Sequence, residues 1–208
     1  MLKLGITSRI TESSNYIEKR DALSHDWPKF LEKNNAIPIS IPNSLSDTEN
    51  FLKEINLDGI ILSGGDNIGD TPERDKTEKI LINFAINVKI PIFGICRGMQ
   101  VLNNYFGGNN MALNNSTHID NDHIIKIENN IFSELLQSSE LVVNSFHHNV
   151  ITKESLGKSL IPFALSKNDK TVEGFFHSEL PIIGVMWHPE REQKIFDEKI
   201  FHKIFKTN

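Results

Sequence analysis

One cysteine is all that this 208-residue chain contains, at Cys96. An internal disulfide is thereby excluded, and a reducing compartment, the cytoplasm, is the expected location. The chain also lacks a basic excess: 22 Lys and Arg stand against 27 Asp and Glu, a formal charge of −5. Nucleic acid is not an expected partner, because binding its phosphates takes a concentrated cationic face. The opening MLKLGITSR is too short in apolar residues and too polar for a signal peptide or membrane span, so no membrane partner is expected. Repeats, linkers and low-complexity tracts are missing as well. At this length the expectation is one domain, residues 1–208, around one hydrophobic core.

What the chain does have is a series of short apolar runs closed by Gly, Pro or polar residues: LKLGIT from Leu2, AIPISIP from Ala36, GIILSGG from Gly59 and PIFGIC from Pro91. Helix-like segments lie between them. This order predicts an α/β fold, a mostly parallel central sheet with helices on both faces. After Thr71-Pro72, the segment ERDKTEKILINFAINVK places Ile80, Phe84 and Val88 on one helical face. Between Asp21 and Asn35, Leu23, Trp27, Phe30 and Leu31 have helical spacing, with Pro28 splitting the segment into a turn and a helix from about Trp27. From Asn109 to Pro189 the runs are shorter (HIIKIEN, ELVVNSFHH, SLIPFALS, VEGFFH, PIIGVMWHP) and predict a small antiparallel strand region beside the sheet. Residues 193–206 read as a final helix with Ile195, Phe196, Ile200, Ile204 and Phe205 as its apolar set.

Cys96 stands in Gly94-Ile95-Cys96-Arg97-Gly98, between an apolar strand and the helix-like RGMQVLNNYFGG. Glycines on both sides permit a sharp strand-to-helix turn with the central side chain projecting from the sheet end. There a thiol gains the field of a helix N-terminus, and the N–H of Arg97 points where an oxyanion would form. Taken alone, the motif fits a small buried side chain as well as a nucleophile.

A thiol nucleophile needs a base, and GVMWHPE offers His188 at the end of another apolar strand. Glu190, two residues on, can reach around Pro189 to the imidazole, orient it and stabilise its charge. His188 by itself fits a structural role too; together with the Cys96 turn it points to Cys96, His188 and Glu190 acting jointly. Ser63-Gly64-Gly65 also follows a buried strand, and an N–H there could complete an oxyanion hole with Arg97, although a bare Gly-Gly fits an ordinary turn equally.

In that order, LSGG, GICRGMQVLN and GVMWHPE resemble the class I glutamine amidotransferase superfamily, whose sheet is flavodoxin-like. With LGITSR, GGD, VNSFHH and VEGFFH, the chain is similar to its peptidase C26, or γ-glutamyl-γ-aminobutyrate hydrolase, branch over nearly its whole length. The resemblance implies a cofactor-independent hydrolase that cleaves a small-molecule γ-glutamyl amide through a γ-glutamyl thioester. It implies Cys96 as nucleophile, His188 as general base and acid, Glu190 as its orienter, and backbone groups of Gly65 and Arg97 as the oxyanion hole. It further implies Gly64, Gln100 and the segment Asn144, Ser145, Phe146 and His147 as substrate-binding, with His147 rather than His148 lining the site. The N-terminal region GITSRITESSNYIEKRDALSHDWPKFLEKNNAIPISIPN is similar to short C26-like proteins of bacterial surface-polysaccharide pathways. That similarity implies a nucleotide-linked phosphoramidate as the amine released, with Arg9, Arg20 or Arg97 facing its phosphates.

Other readings stay open. A γ-glutamyl-γ-aminobutyrate-type hydrolase of amine catabolism, a glutaminase subunit feeding ammonia to a partner synthase, and an inactive binding or sensing protein all fit the same fold. THIDNDHIIK offers His118, Asp120, Asp122 and His123 as metal ligands, but no zinc-type spacing is matched and a thiol mechanism needs no metal. Trp27 fits either the core or a cap over the pocket, and a homodimer is not excluded.

Overall fold

The computed structural model describes residues 1–112 and 121–206. Its strands are β1 (Leu2–Thr7), β2 (Arg9–Glu12), β3 (Lys19–Ala22), β4 (Ala36–Ile41), β5 (Gly59–Leu62), β6 (Ile92–Ile95), β7 (Met111–Ala112), β8 (His123–Ile127), β9 (Glu140–Val143), β10 (Asn149–Val150), β11 (Leu160–Ser166), β12 (Val172–His177) and β13 (Ile182–Val185). Its helices are α1 (Asp26–Lys33), α2 (Thr48–Ile55), α3 (Pro72–Val88), α4 (Arg97–Tyr105), α5 (Asn130–Leu136), α6 (Pro189–Glu192) and α7 (Ile195–Phe205).

Nine strands form one sheet in the order β4-β1-β5-β6-β13-β12-β11-β8-β9. From β4 to β13 neighbouring strands run parallel, and from β13 to β9 they alternate in direction. The parallel α/β architecture is as expected. The antiparallel part is larger than expected and continues the same sheet, while β2–β3 and β7–β10 form two separate ribbons. Side chains alternate between the two faces. Ile61, Phe93 and Ile95 join an apolar layer with Trp27, Phe30, Trp187 and Phe201, whereas Ile60, Leu62 and Ile92 join another with Leu81, Met99 and Leu102.

The register decides where chemistry can occur. Leu62 pairs with Gly94, and Ile95 with Val185, so β5, β6 and β13 end side by side. Strands in a sheet lie roughly 4.8 Å apart, and the residues just after these three, Ser63-Gly64-Gly65, Cys96 and Met186-Trp187-His188, therefore emerge at one edge. Open α/β sheets collect ligands at this carboxyl end.

Several helix expectations need correction. Asp21 and Ala22 end a hairpin strand, while α1 begins at Asp26, beside the expected start at Trp27, with Pro28 inside its first turn, where a missing N–H breaks no hydrogen bond. Helix α5 stands between β8 and β9, where the sequence pattern predicts only strands; Asn129 caps it, accepting from the N–H groups of Ile131 and Phe132. The most buried face of α3 carries Arg74, Thr77, Glu78, Leu81, Ile82 and Ala85; of the expected row, Ile80 and Phe84 pack at its margin against the core, and Val88 is exposed. The short α6 precedes the final helix expected over residues 193–206, which is α7. Its buried set is Asp197, Ile200, Phe201, Ile204 and Phe205, leaving Ile195 in solvent.

Candidate active site

Cys96 is the residue before α4, with φ 51° and ψ −104°, a strained conformation for a residue with a side chain. Its N–H donates to Val185 O at 2.8 Å, and its carbonyl accepts the Gln100 N–H at 3.1 Å. The turn is therefore tied at once to β13 and to the helix. Its sharpness depends on Gly98, where a methyl group would lie 2.0 Å from the Leu62 carbonyl oxygen. Only a bare α-carbon lets α4 approach β5 this closely.

His188 is held from both ends. Its N–H donates to Asn144 Oδ1 at 2.8 Å and its carbonyl accepts from Asn144 Nδ2 at 3.0 Å. On the ring, Nδ1 faces Glu190 Oε1 at 2.8 Å, and the imidazole also hydrogen-bonds Cys96. Burial by itself disfavours the imidazolium. The charge and hydrogen bond of Cys96, followed by those of Glu190, outweigh burial and raise the His188 pKa to about 9. Such a site rests with His188 charged beside Cys96. Gly64 closes the group: a methyl group there would lie 2.7 Å from His188 Cε1 and 3.6 Å from Cys96 Cβ.

One recess borders these residues and another lies past Gln100 on α4. The first, of about 540 Å³, is lined by Arg9, Thr11, Trp27, Gly64, Glu190 and Arg191 among others. The other, of about 510 Å³, is polar and is lined by Asn67, Gln100, Asn104, Asn110, His148 and Asn149 among others. Phe146 stands at the mouth, edge-on to the His188 ring at 5.8 Å and under the Arg191 guanidinium at 3.9 Å.

The structure sorts the sequence-derived residues. Cys96, His188, Glu190, Gly64 and the Arg97 backbone converge, and Arg9 and Gln100 each line a recess. Asn144 grips the His188 backbone and is itself buried. Ser145 is fully buried. His147 is buried with Nδ1 at 2.9 Å from Asn149 O and Nε2 at 3.8 Å from Glu173, and it is His148 that lines the polar recess. The two neighbours differ in exposure, His147 buried and His148 exposed, in a stretch between β9 and β10 that is not itself strand.

The phosphate-facing alternatives narrow as well. The Arg97 guanidinium is buried against Glu78 and Asp75, and Arg20 is occupied by Glu18 and Tyr16 on the β2–β3 ribbon. Of the three arginines, Arg9 alone reaches the recess beside Gly64. Arg191 joins it there; no motif singles this residue out, although it lies next to Glu190. Trp27 is both core and recess wall. His118 and Asp120 lie outside the described residues, Asp122 is exposed, and His123 Nε2 lies 3.4 Å from Glu173. Among the described residues no group of three His, Cys, Asp or Glu could hold a metal ion, and no helix is long and apolar enough to cross a membrane.

The peptidase C26 family profile matches residues 4–190. The γ-glutamyl-CDP-amidate hydrolase of Campylobacter jejuni is 34% identical over 97% of this chain and 96% of its own. One subunit of the glutamine-hydrolysing GMP synthase of Methanococcus aeolicus is 30% identical over 73% of this chain and 77% of its own. A glutamine amidotransferase of Thermotoga maritima has the same fold, with TM-score 0.71 at 15% identity over 99% of both chains. The chain belongs to the peptidase C26 family and is an amide-cleaving hydrolase of the glutamine amidotransferase-like kind.

Proposed function

We propose that this protein hydrolyses a γ-glutamyl amide through a thioester on Cys96, and that the amine released is a nucleotide-linked phosphoramidate, as in γ-glutamyl-CDP-amidate. The observation that carries the chemistry is the ordered contact from Cys96 to His188 to Glu190 at the carboxyl edge of the sheet. The Cys96 thiolate attacks the γ-carbonyl, and the backbone N–H groups of Gly65 and Arg97 receive the developing oxyanion. His188 passes its proton to the leaving nitrogen, and the amine departs. The neutral imidazole then takes a proton from water, whose oxygen attacks the thioester. Collapse of the second tetrahedral intermediate expels the thiolate and yields glutamate, with His188 charged again.

The substrate assignment draws on two supports. The C. jejuni relative is named for a γ-glutamyl-CDP-amidate. The recess beside Gly64 and Glu190 also carries two cations, Arg9 and Arg191, suited to phosphate oxygens by charge-assisted hydrogen bonds. In this reading the glutamyl head occupies the polar recess with Gln100 and His148. The reaction needs no cofactor or partner chain and runs in the cytoplasm, within one domain spanning residues 1–208.

The test is a substrate panel compared by kcat/KM: γ-glutamyl-CDP-amidate, γ-glutamyl-γ-aminobutyrate and glutamine, with wild type and Arg9→Ala. The expected result is preference for the nucleotide-linked amide, lost in Arg9→Ala through KM. Preference for γ-glutamyl-γ-aminobutyrate would move the reading to amine catabolism. Ammonia release from glutamine, rising when a synthase partner is added, would move it to a glutamine-hydrolysing synthase component, as the M. aeolicus relative is named.

A further inference from the structure

Behind the Ser63-Gly64-Gly65 turn lie four charges that the mechanism above leaves unused. Arg74 and Glu78, one turn apart on α3, are fully buried and paired from Nε to Oε1 at 2.9 Å. The second oxygen of Glu78 accepts from Arg97 Nη1, and Arg97 Nη2 donates to Asp75. Two cations and two anions thus compensate one another, the condition under which buried charge is tolerated. A hydrophobic filling would serve stability as well, so the retained charges invite a second explanation.

That explanation lies in what Arg74 holds. Its Nη2 donates to the Ser63 carbonyl at 2.8 Å, to the Gly64 carbonyl at 3.1 Å and to Ser63 Oγ at 3.1 Å. The peptide bonds here are trans, so the C=O and N–H of one peptide unit point in opposite directions. Drawing the Gly64 carbonyl back onto the guanidinium therefore turns the Gly65 N–H away from it. The Gly64 α-carbon already faces Cys96 and His188. Gly65, at φ 149° with no side chain, has little of its own to fix that orientation, and a methyl group there would lie 2.3 Å from Arg74 Nη1. The other proposed donor, the Arg97 N–H, opens α4, whose first residue is anchored through its side chain to the same Glu78.

We infer that Arg74 and Glu78 are positioning residues of the oxyanion hole. Arg74 aims the Gly65 N–H by gripping the carbonyls behind it, and Glu78 ties that grip to the start of the nucleophile helix. Neither touches substrate. The inference rests on the thioester reading above and assigns to it residues outside the recesses.

The experiment compares wild type with Arg74→Lys, which keeps the positive charge but has one nitrogen in place of the Nε that pairs with Glu78 and the Nη2 that holds the two carbonyls. Preorganised oxyanion donors are worth on the order of 100-fold or more in kcat. The expected result is a kcat loss of roughly 10- to 100-fold with KM nearly unchanged. Alkylation of Cys96 by iodoacetamide, which needs no oxyanion hole, keeps its wild-type rate. A γ-glutamyl aldehyde, which forms a tetrahedral hemithioacetal on the thiol, loses affinity while glutamate does not. Should Arg74→Lys fail to fold, Arg74→Met with Glu78→Leu removes one charge of each sign together, and the same readouts apply. Unchanged kcat, or equal losses for aldehyde and glutamate, would overturn the inference. A wild type that turns over without any Cys96 thioester would instead overturn the reading beneath it.

Discussion

Replacing Glu190 by Gln keeps the shape of the side chain and removes the charge that faces His188 Nδ1 at 2.8 Å. The His188 pKa of about 9 exceeds its ordinary value of 6.5 because Cys96 and Glu190 together outweigh burial. A hydrogen bond to a charged partner contributes roughly 1.5–3 kcal/mol, and one pKa unit corresponds to about 1.4 kcal/mol. Loss of the Glu190 charge should therefore lower the His188 pKa by about one to two units. A raised pKa on a base means that the imidazolium, and with it the acid for amine departure, is present below that pKa and disappears as pH rises through it. In wild type the alkaline limb of kcat/KM should fall near pH 9. In Glu190→Gln it should move to roughly pH 7–8, costing about 3- to 25-fold at about pH 8.5. The assay is kcat/KM against pH, read beside the pH dependence of Cys96 alkylation. An alkaline limb that stays in place in a folded Glu190→Gln protein would refute the role given to Glu190.

Three further outcomes follow from the same geometry. Asn144→Ala removes two hydrogen bonds to the His188 backbone, leaving the His188 N–H unpaired and its carbonyl with the Arg191 N–H alone, so kcat should fall and thermal stability should drop by about 1–3 kcal/mol; a change in KM alone would return Asn144 to substrate binding. Gly98→Ala places a methyl group 2.0 Å from the Leu62 carbonyl oxygen, so α4 must shift, with about 1–3 kcal/mol of destabilisation and loss of activity, measured by melting and turnover. Burial raises the Asp197 carboxyl to about 7 although Trp187 Nε1 donates to it at 2.8 Å. Its neutral form is favoured by folding, so stability falls as pH rises from about 4 through 7, and Asp197→Asn should flatten the melting temperature across that window.

The parts of the site that sequence makes legible are those written in a few consecutive residues. GICRG announces a turn because two glycines flank one side chain, and WHPE places a candidate orienter two residues from a candidate base, although Glu190 reaches His188 from the first turn of α6 and not from extended chain. Their meeting depends on strand order and register, yet an α/β pattern confines both to the same sheet end. Arg74 and Glu78 are hidden for the opposite reason. An Arg and a Glu four apart on a helix usually mark a solvated face, and only the docking of α3 beneath the Ser63-Gly64-Gly65 turn shows that they face inward. The inward face of α3 misleads accordingly, since Ile80, Phe84 and Val88 form a neat apolar row that lies at the margin, while the most buried face mixes Arg74, Thr77 and Glu78 with Leu81, Ile82 and Ala85. His147 and His148 show a related limit: alternation says that two neighbours point apart, but the phase depends on how the chain enters the segment. A signal for α5 is present in Asn129, a residue suited to capping, and it is submerged in a region that otherwise reads as strands.

The central claim is that Cys96 carries the glutamyl group between amine release and hydrolysis. Rapid acid quenching during turnover of γ-glutamyl-CDP-amidate, followed by intact-protein and peptide mass measurement, tests it most directly. The account predicts a mass increase of one glutamyl group on the peptide containing Cys96, sensitive to hydroxylamine and absent from an inactive Cys96→Ala protein. Undiminished turnover by Cys96→Ala, with no acyl group on any peptide, would contradict it.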